Sequence, residues 1–188
     1  MTISLEEPTM RRQTIAASIA SLTLMGTAGC ATYSEVPTDR VAEARLSYAN
    51  GLPAGTAQFY VTGAGELRVT GAFAGLSEGP HGFHLHTTGS CEAPGFQSAG
   101  GHLNPYSREH GTDNPAGAHL GDLPNLTAAA DGTARITAVV SDDADAALAA
   151  IFDGDGTAVM IHAGADDYSS DPAGDAGSRI ACGVVVRR

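Results

Sequence analysis

The sequence predicts an all-β domain, an eight-stranded antiparallel barrel or sandwich, and three observations carry that prediction. From about Arg40 onward the chain runs in short, roughly alternating segments separated by Gly, Asp and Asn. Glycine is abundant at 24 residues while Trp is absent, which suits short strands and many turns. No stretch has the length and period of a long helix. In order, strands are expected at 41–49, 56–63, 66–74, 81–87, 125–130, 133–140, 157–163 and 181–186, bounded by turn residues such as "AGE", "ADG" and "DGDG". The segment "DDADAALAAIF" breaks this rhythm with the composition of a helical turn. Two further segments, 88–124 and 164–180, are rich in Gly, Pro, Asp and Ser, and loops of that length in a compact domain are either functional or disordered.

The first thirty residues read as an export signal. Arg11 and Arg12 form a short basic region, and "QTIAASIASLTLMGTAGC" is an apolar run too short to span a membrane permanently. "TAGC" resembles the box at which bacterial lipoproteins are cleaved and acylated, making Cys30 the lipidation candidate, although Thr27 stands where Leu is usual. Ordinary signal-peptidase cleavage nearby is the competing reading, and the Arg pair also leaves a twin-arginine route open. Residues 31–39, polar with one proline, are expected to tether a domain spanning 40–188. The protein is therefore expected outside the cytoplasm, in the cell envelope, anchored by lipid at the membrane outer face or in the periplasm. A net charge of −11 argues against nucleic acid and anionic membrane surfaces as partners, leaving the N-terminal lipid as the only expected membrane contact. In an oxidising compartment two of the three cysteines should pair. If Cys30 carries lipid, Cys91 and Cys182 remain, and their bridge would close a loop worth roughly 4 to 5 kcal/mol in the chain-entropy model.

The histidines decide what the long loops are for. "HGFHLH", residues 81–86, holds three of the seven. Alternation along a strand puts His84 and His86 on one face and Phe83 and Leu85 on the other. His102 in "GGHLNP", His110 in "SREHG" and His119 in "AHLGDLPN" lie in the first long loop, and His162 in "MIHAGADD" ends the strand entering the second. A disordered loop has no reason to collect them. His102, His110, His119 and Asp122 supply three imidazoles and a carboxylate, a set that suits tetrahedral zinc. His84, His86, His102 and His162 supply four imidazoles, which suit copper. His102 serves both sets because an imidazole has two nitrogens.

"GFHLH", "GGHLNP", "HLGDLPN", "IHAGADD" and "AGSRIACGV", in this order over roughly residues 41–188, resemble the copper/zinc superoxide dismutases, in particular their bacterial exported branch. The resemblance implies a Greek-key β-barrel with a metal-binding loop at about 88–124 and an electrostatic loop at about 164–180. It implies one copper per subunit on His84, His86, His102 and His162, and one zinc on His102, His110, His119 and Asp122. Asp166 matches the carboxylate that links a copper histidine, His84, to a zinc histidine, His110. Arg179 matches the arginine that holds the superoxide anion beside copper, and Cys91 and Cys182 match the family disulfide. His81 matches a barrel histidine that binds no metal.

The implied reaction is dismutation of superoxide to oxygen and hydrogen peroxide, with Arg179 and His102 as the catalytic residues and His102 returning a proton as peroxide forms. The chain departs from the family pattern in one respect. Residues 163–178 contain Asp166, Asp167, Asp171 and Asp175 and no basic residue, where many members carry lysines that draw in the anion. A slower enzyme with a flat or inverse dependence on ionic strength is expected, because steering can be worth one to three orders of magnitude in association rate. Ala173 also stands where a hydroxyl residue often narrows the channel. A non-catalytic copper-binding or buffering protein could use the same histidines but would have less need for Arg179, Asp166 or the shared His102. A domain using zinc and the disulfide for stability alone would leave His84, His86 and His162 unexplained. The sequence leaves monomer and homodimer both open.

Overall fold

The computed structural model describes residues 39–188. The expected export signal, Cys30 and the tether up to residue 38 lie outside the described residues, and Asp39 already belongs to the first strand. Eight strands follow: β1 (Asp39–Tyr48), β2 (Pro53–Val61), β3 (Leu67–Phe73), β4 (Gly79–His86), β5 (Asp122–Ala128), β6 (Ala134–Ser141), β7 (Ala158–His162) and β8 (Arg179–Arg187). They close into a barrel in the order β1-β2-β3-β6-β5-β4-β7-β8, and every paired neighbour is antiparallel. All eight expected strands are present in an eight-stranded antiparallel barrel. Closure removes the free sheet edges that would otherwise template aggregation.

Strand ends shift by one to three residues from expectation, and two of the shifts matter for the site. β5 begins at Asp122 and β8 at Arg179, each inside a segment expected as loop. Polar residues hide a strand from a hydrophobic pattern, but the ladder continues through them: Asp122 pairs with His84 and Arg179 with His162. The aspartate-rich stretch after β6 forms α1 (Ala144–Ile151). Asp143 caps it by accepting from the Ala146 N–H at 3.0 Å, and Ala144, Ala147 and Ile151 bury one face at helical spacing.

The barrel core is filled by the inward half of each strand, including Leu46, Phe59, Val69, Phe83, Leu85 and Ile161. Phe73 and Phe83 meet with ring centroids 5.6 Å apart, within the preferred range for aromatic pairs. β4 and β7 are unusual because both of their faces are buried. Phe83, Leu85, Val159 and Ile161 point into the barrel, while on the outer face of β7 Ala158 and Met160 pack under the long loop with Phe96, Ala99 and Cys182. The Cys91–Cys182 disulfide, with Cα atoms 5.7 Å apart, fastens this outer layer to β8. Loop 87–121 is thereby held to the barrel by apolar packing and a covalent bond as well as by the polar groups described next.

Candidate metal centre

His84 and His86 project from the outer face of β4, and His162 ends β7, which pairs with β4. His102 joins them through an isolated antiparallel bridge to His86, so the four rings gather by strand pairing. One nitrogen atom from each of these four residues lies within 4.8 Å of the others, and all four residues are buried. His102, His110, His119 and Asp122 form a second group by the same measure. His102 is the residue common to both. The structure thus brings together both sets expected from the sequence.

Every imidazole of the two clusters except His102 has one nitrogen held from outside. His86 Nδ1 donates to the Gly100 carbonyl at 3.0 Å, His162 Nδ1 to Gly177 at 3.1 Å and His119 Nε2 to Arg108 at 3.1 Å. Asp166, 3% exposed, accepts from His84 Nε2 at 2.7 Å on one oxygen and from His110 Nε2 at 3.0 Å on the other. Such contacts fix the tautomer and aim the remaining nitrogen inward. His86 Nε2 and His162 Nε2 face each other at 3.4 Å, and Asp122 Oδ1 lies 2.8 Å from His102 Nδ1 and 3.1 Å from His119 Nδ1.

The inward nitrogens supply the test of whether metal fits. His84 Nδ1, His102 Nε2 and His110 Nδ1 are buried with no hydrogen-bond partner. His110 Nδ1 lies 3.1 Å from Asp122 Oδ1, but its orientation does not make a hydrogen bond. An unmade hydrogen bond on a buried polar atom costs about 1–3 kcal/mol. Three such atoms converging on two clusters are the signature of ligand lone pairs, and nitrogen with one carboxylate is the donor chemistry of copper and zinc.

Protonation agrees with that assignment. Burial pushes the pKa of His86 down to about 2, with the nearby His102, Arg179 and His162 adding repulsion against the Gly100 hydrogen bond. Burial likewise lowers His162 to about 3 and His102 to about 4, the latter despite its bond to Asp122. These rings are neutral at physiological pH, as metal ligands must be. Burial alone would raise Asp122 and Asp166, but imidazole and backbone N–H donors outweigh it and hold both carboxyls below their ordinary range.

Arg179 sits at the edge of the four-histidine cluster, half-buried, donating to the Phe96 carbonyl at 2.8 Å and the Gly100 carbonyl at 2.6 Å. Gly100 therefore orients both Arg179 and His86. Sequence reading missed it; the paired glycines ahead of His102 were the available signal, since Gly100 has φ 73°, a backbone that side chains disfavour. Gly174, at φ 65°, lies so close to Asp166 and His110 that a Cβ there would collide with both. His81 stays out of both clusters, bonded to the His162 carbonyl at 2.8 Å and the Ser77 carbonyl at 2.9 Å.

The acids of the second long loop divide. Asp166 is committed to the two histidines, Asp171 accepts from the His110 backbone N–H at 2.8 Å, and Asp167 caps Ser169 and Ser170, whose hydrogen bonds lower its pKa to about 2. Asp175 is exposed.

The chain resembles known proteins over the stretch that carries these residues. A family model described as "Copper/zinc superoxide dismutase (SODC)" matches residues 53–185. "Superoxide dismutase [Cu-Zn] 2" of Aquifex aeolicus is 40% identical over 149 residues, covering 78% of this chain and 87% of that one. "Superoxide dismutase [Cu-Zn]" of Caulobacter vibrioides is 44% identical over 115 residues, covering 59% of this chain and 66% of that one. Among solved structures, a SOD-like protein from Bacillus subtilis superposes with a TM-score of 0.71 at 38% identity, covering 77% of this chain and 97% of that one.

Proposed function

The chain belongs to the copper/zinc superoxide dismutase family, and from that premise we propose how its own residues carry the reaction. It is an enzyme that converts two superoxide anions to oxygen and hydrogen peroxide with copper and zinc as cofactors. We propose that His84 Nδ1 and the Nε2 atoms of His86, His102 and His162 hold copper, and that the Nδ1 atoms of His102, His110 and His119 with Asp122 Oδ1 hold zinc. The supporting observation is His102, whose Nδ1 lies 2.8 Å from Asp122 while its buried Nε2 has no partner. When bound, copper supplies the one-electron redox chemistry, and zinc, which has none, holds its ligands in place.

The protein's part is to bind, orient and supply a proton. Arg179 presents a guanidinium fixed by two loop carbonyls, whose charge and N–H groups hold an anion beside the histidines. His102, engaged by Asp122 at Nδ1, would carry a proton at Nε2 only while that atom is not holding copper, and would return it to the reduced anion. Asp166 keeps His84 and His110 in register, and the Cys91–Cys182 bridge restrains the neighbourhood of Arg179.

Residues 1–30 act in this reading as an export signal and 31–38 as a tether, so that the domain works outside the cytoplasm, protecting the cell envelope, with Cys30 as its lipid anchor. Mass spectrometry of the mature N-terminus tests the anchor: an acylated Cys30 supports it, and an unmodified N-terminus downstream refutes it. For the reaction, the mature protein reconstituted with both metals should remove superoxide, and His162→Ala should abolish that while the barrel stays folded. A fully metallated protein without activity would instead favour copper buffering.

A further inference from the structure

Asp166 can serve His84 and His110 together only if its backbone is held in one place, and what holds it comes from another strand. β5 carries one residue more than β4 between successive pairs: His81 pairs with Leu126 and Phe83 with Leu123, which leaves Pro124 and Asn125 opposite Gly82. Such a bulge takes residues out of the ladder and re-aims their side chains. Two groups are freed toward the 163–178 loop. The Gly82 N–H donates to the Gly164 carbonyl at 2.7 Å. The Asn125 amide grips the Asp166 backbone at two points, Nδ2 donating to its carbonyl at 2.9 Å and Oδ1 accepting from its N–H at 2.9 Å. Only one amide orientation satisfies both contacts.

The grip continues through Tyr168. The Asn125 N–H donates to the Tyr168 hydroxyl at 2.9 Å, and the Tyr168 N–H donates to Asp166 Oδ1 at 2.7 Å, the same oxygen that accepts from His110. Tyr168 also accepts the Asp113 N–H on its carbonyl at 3.0 Å, so one residue joins β5 to both long loops. Pro124, which has no N–H, leaves no unpaired donor in the bulge.

We propose that Asn125 is a positioning residue of the metal centre: its amide, set on the β5 bulge, fixes the Asp166 backbone so that one carboxylate orients His84 and His110 together, and through it governs how tightly zinc is held. This rests on the ligand sets proposed above. Its competitor is that Asn125 only fastens a loop.

A double-mutant cycle on zinc affinity separates the two, using the full mature chain and competition with a chromophoric chelator. Asp166→Asn is expected to weaken zinc by roughly 10- to 100-fold, the usual effect of removing a group that orients a ligand, and Asn125→Ala by about tenfold. In the Asp166→Asn background, Asn125→Ala should change affinity by less than about twofold, because the carboxylate it positions is gone. Cobalt(II) in the zinc site should show an altered visible spectrum in Asn125→Ala, which a simple loss of loop stability would not produce. An undiminished zinc affinity in Asn125→Ala, or the same loss in both backgrounds, overturns the proposal. Should that variant fail to fold, Tyr168→Phe carries the same cycle: a weakening of about threefold that vanishes with Asp166→Asn supports the assignment, and one that persists overturns it. If the unsubstituted protein fails to bind zinc, the ligand assignment itself falls, an outcome distinct from either.

Discussion

The two halves of the metal centre are built on different foundations. Three of the four residues in the proposed copper set, His84, His86 and His162, stand on paired strands whose opposite faces fill the barrel. Three of the four in the proposed zinc set, His102, His110 and His119, come from loop 87–121, and only Asp122 sits on a strand. The barrel therefore preorganises one half, whereas the other is held by hydrogen bonds to Asp122 and Asp166, by the outer apolar layer and by the disulfide. A ligand set on a ladder can lose its metal and keep its shape, while one on a loop draws part of its order from the metal.

The largest expected effect tests the rigid half. His162→Ala should lower superoxide removal by more than about 100-fold, since ligands matter more than the groups behind them, while near-native unfolding in urea should persist. A collapse of stability with activity would show that the strands do not preorganise that half. For the loop half the covalent fastening comes next: Cys91→Ser with Cys182→Ser should cost about 2–5 kcal/mol in denaturant unfolding.

Acid sharpens the contrast further. His86, His162 and His102 are held neutral when folded, with pKa values pushed down to about 2, 3 and 4. The unfolded chain binds protons near pH 6.5 that the folded chain refuses, so stability is full above that pH and is lost as pH falls, down to about 4 for His102, 3 for His162 and 2 for His86. Each ring contributes a slope of up to about 1.4 kcal/mol per pH unit. Urea unfolding of the metal-free protein at pH 7 and pH 5 measures this, and equal stability at both would contradict it. Zinc removal by a chelator should then speed amide exchange across 103–121 while leaving β4 and β7 protected. The smallest effect concerns the acid-rich loop: activity should be flat or rise slightly with ionic strength, and a steep fall would mean that attraction at the site outweighs the four loop aspartates.

Much of this was legible because histidines are scarce and their spacing is informative. "HGFHLH" disclosed a strand that packs on one side and carries two of the clustered histidines on the other, since a period of two fixes which side chains share a face. The ends of β5 and β8 were not legible, because Asp122 and Arg179 are polar residues whose strand character comes from partners, His84 and His162, distant in the chain. Asn125 was equally hidden: it lies in the quoted motif "HLGDLPN", yet its importance depends on a one-residue mismatch between β4 and β5 that no single strand displays.

The sequence alone determined the local terms: eight strands, turns at their glycines, two long loops, and two sets of donor atoms whose chemistry suits copper and zinc. Only the tertiary structure decided which nitrogen of each ring faces inward, that Gly100 serves both Arg179 and His86, and that Asp166 is held from β5. Residue type and periodicity are properties of neighbours along the chain, whereas hydrogen-bond partnership is a property of neighbours in space. Barrel closure and the β5 bulge create those neighbours.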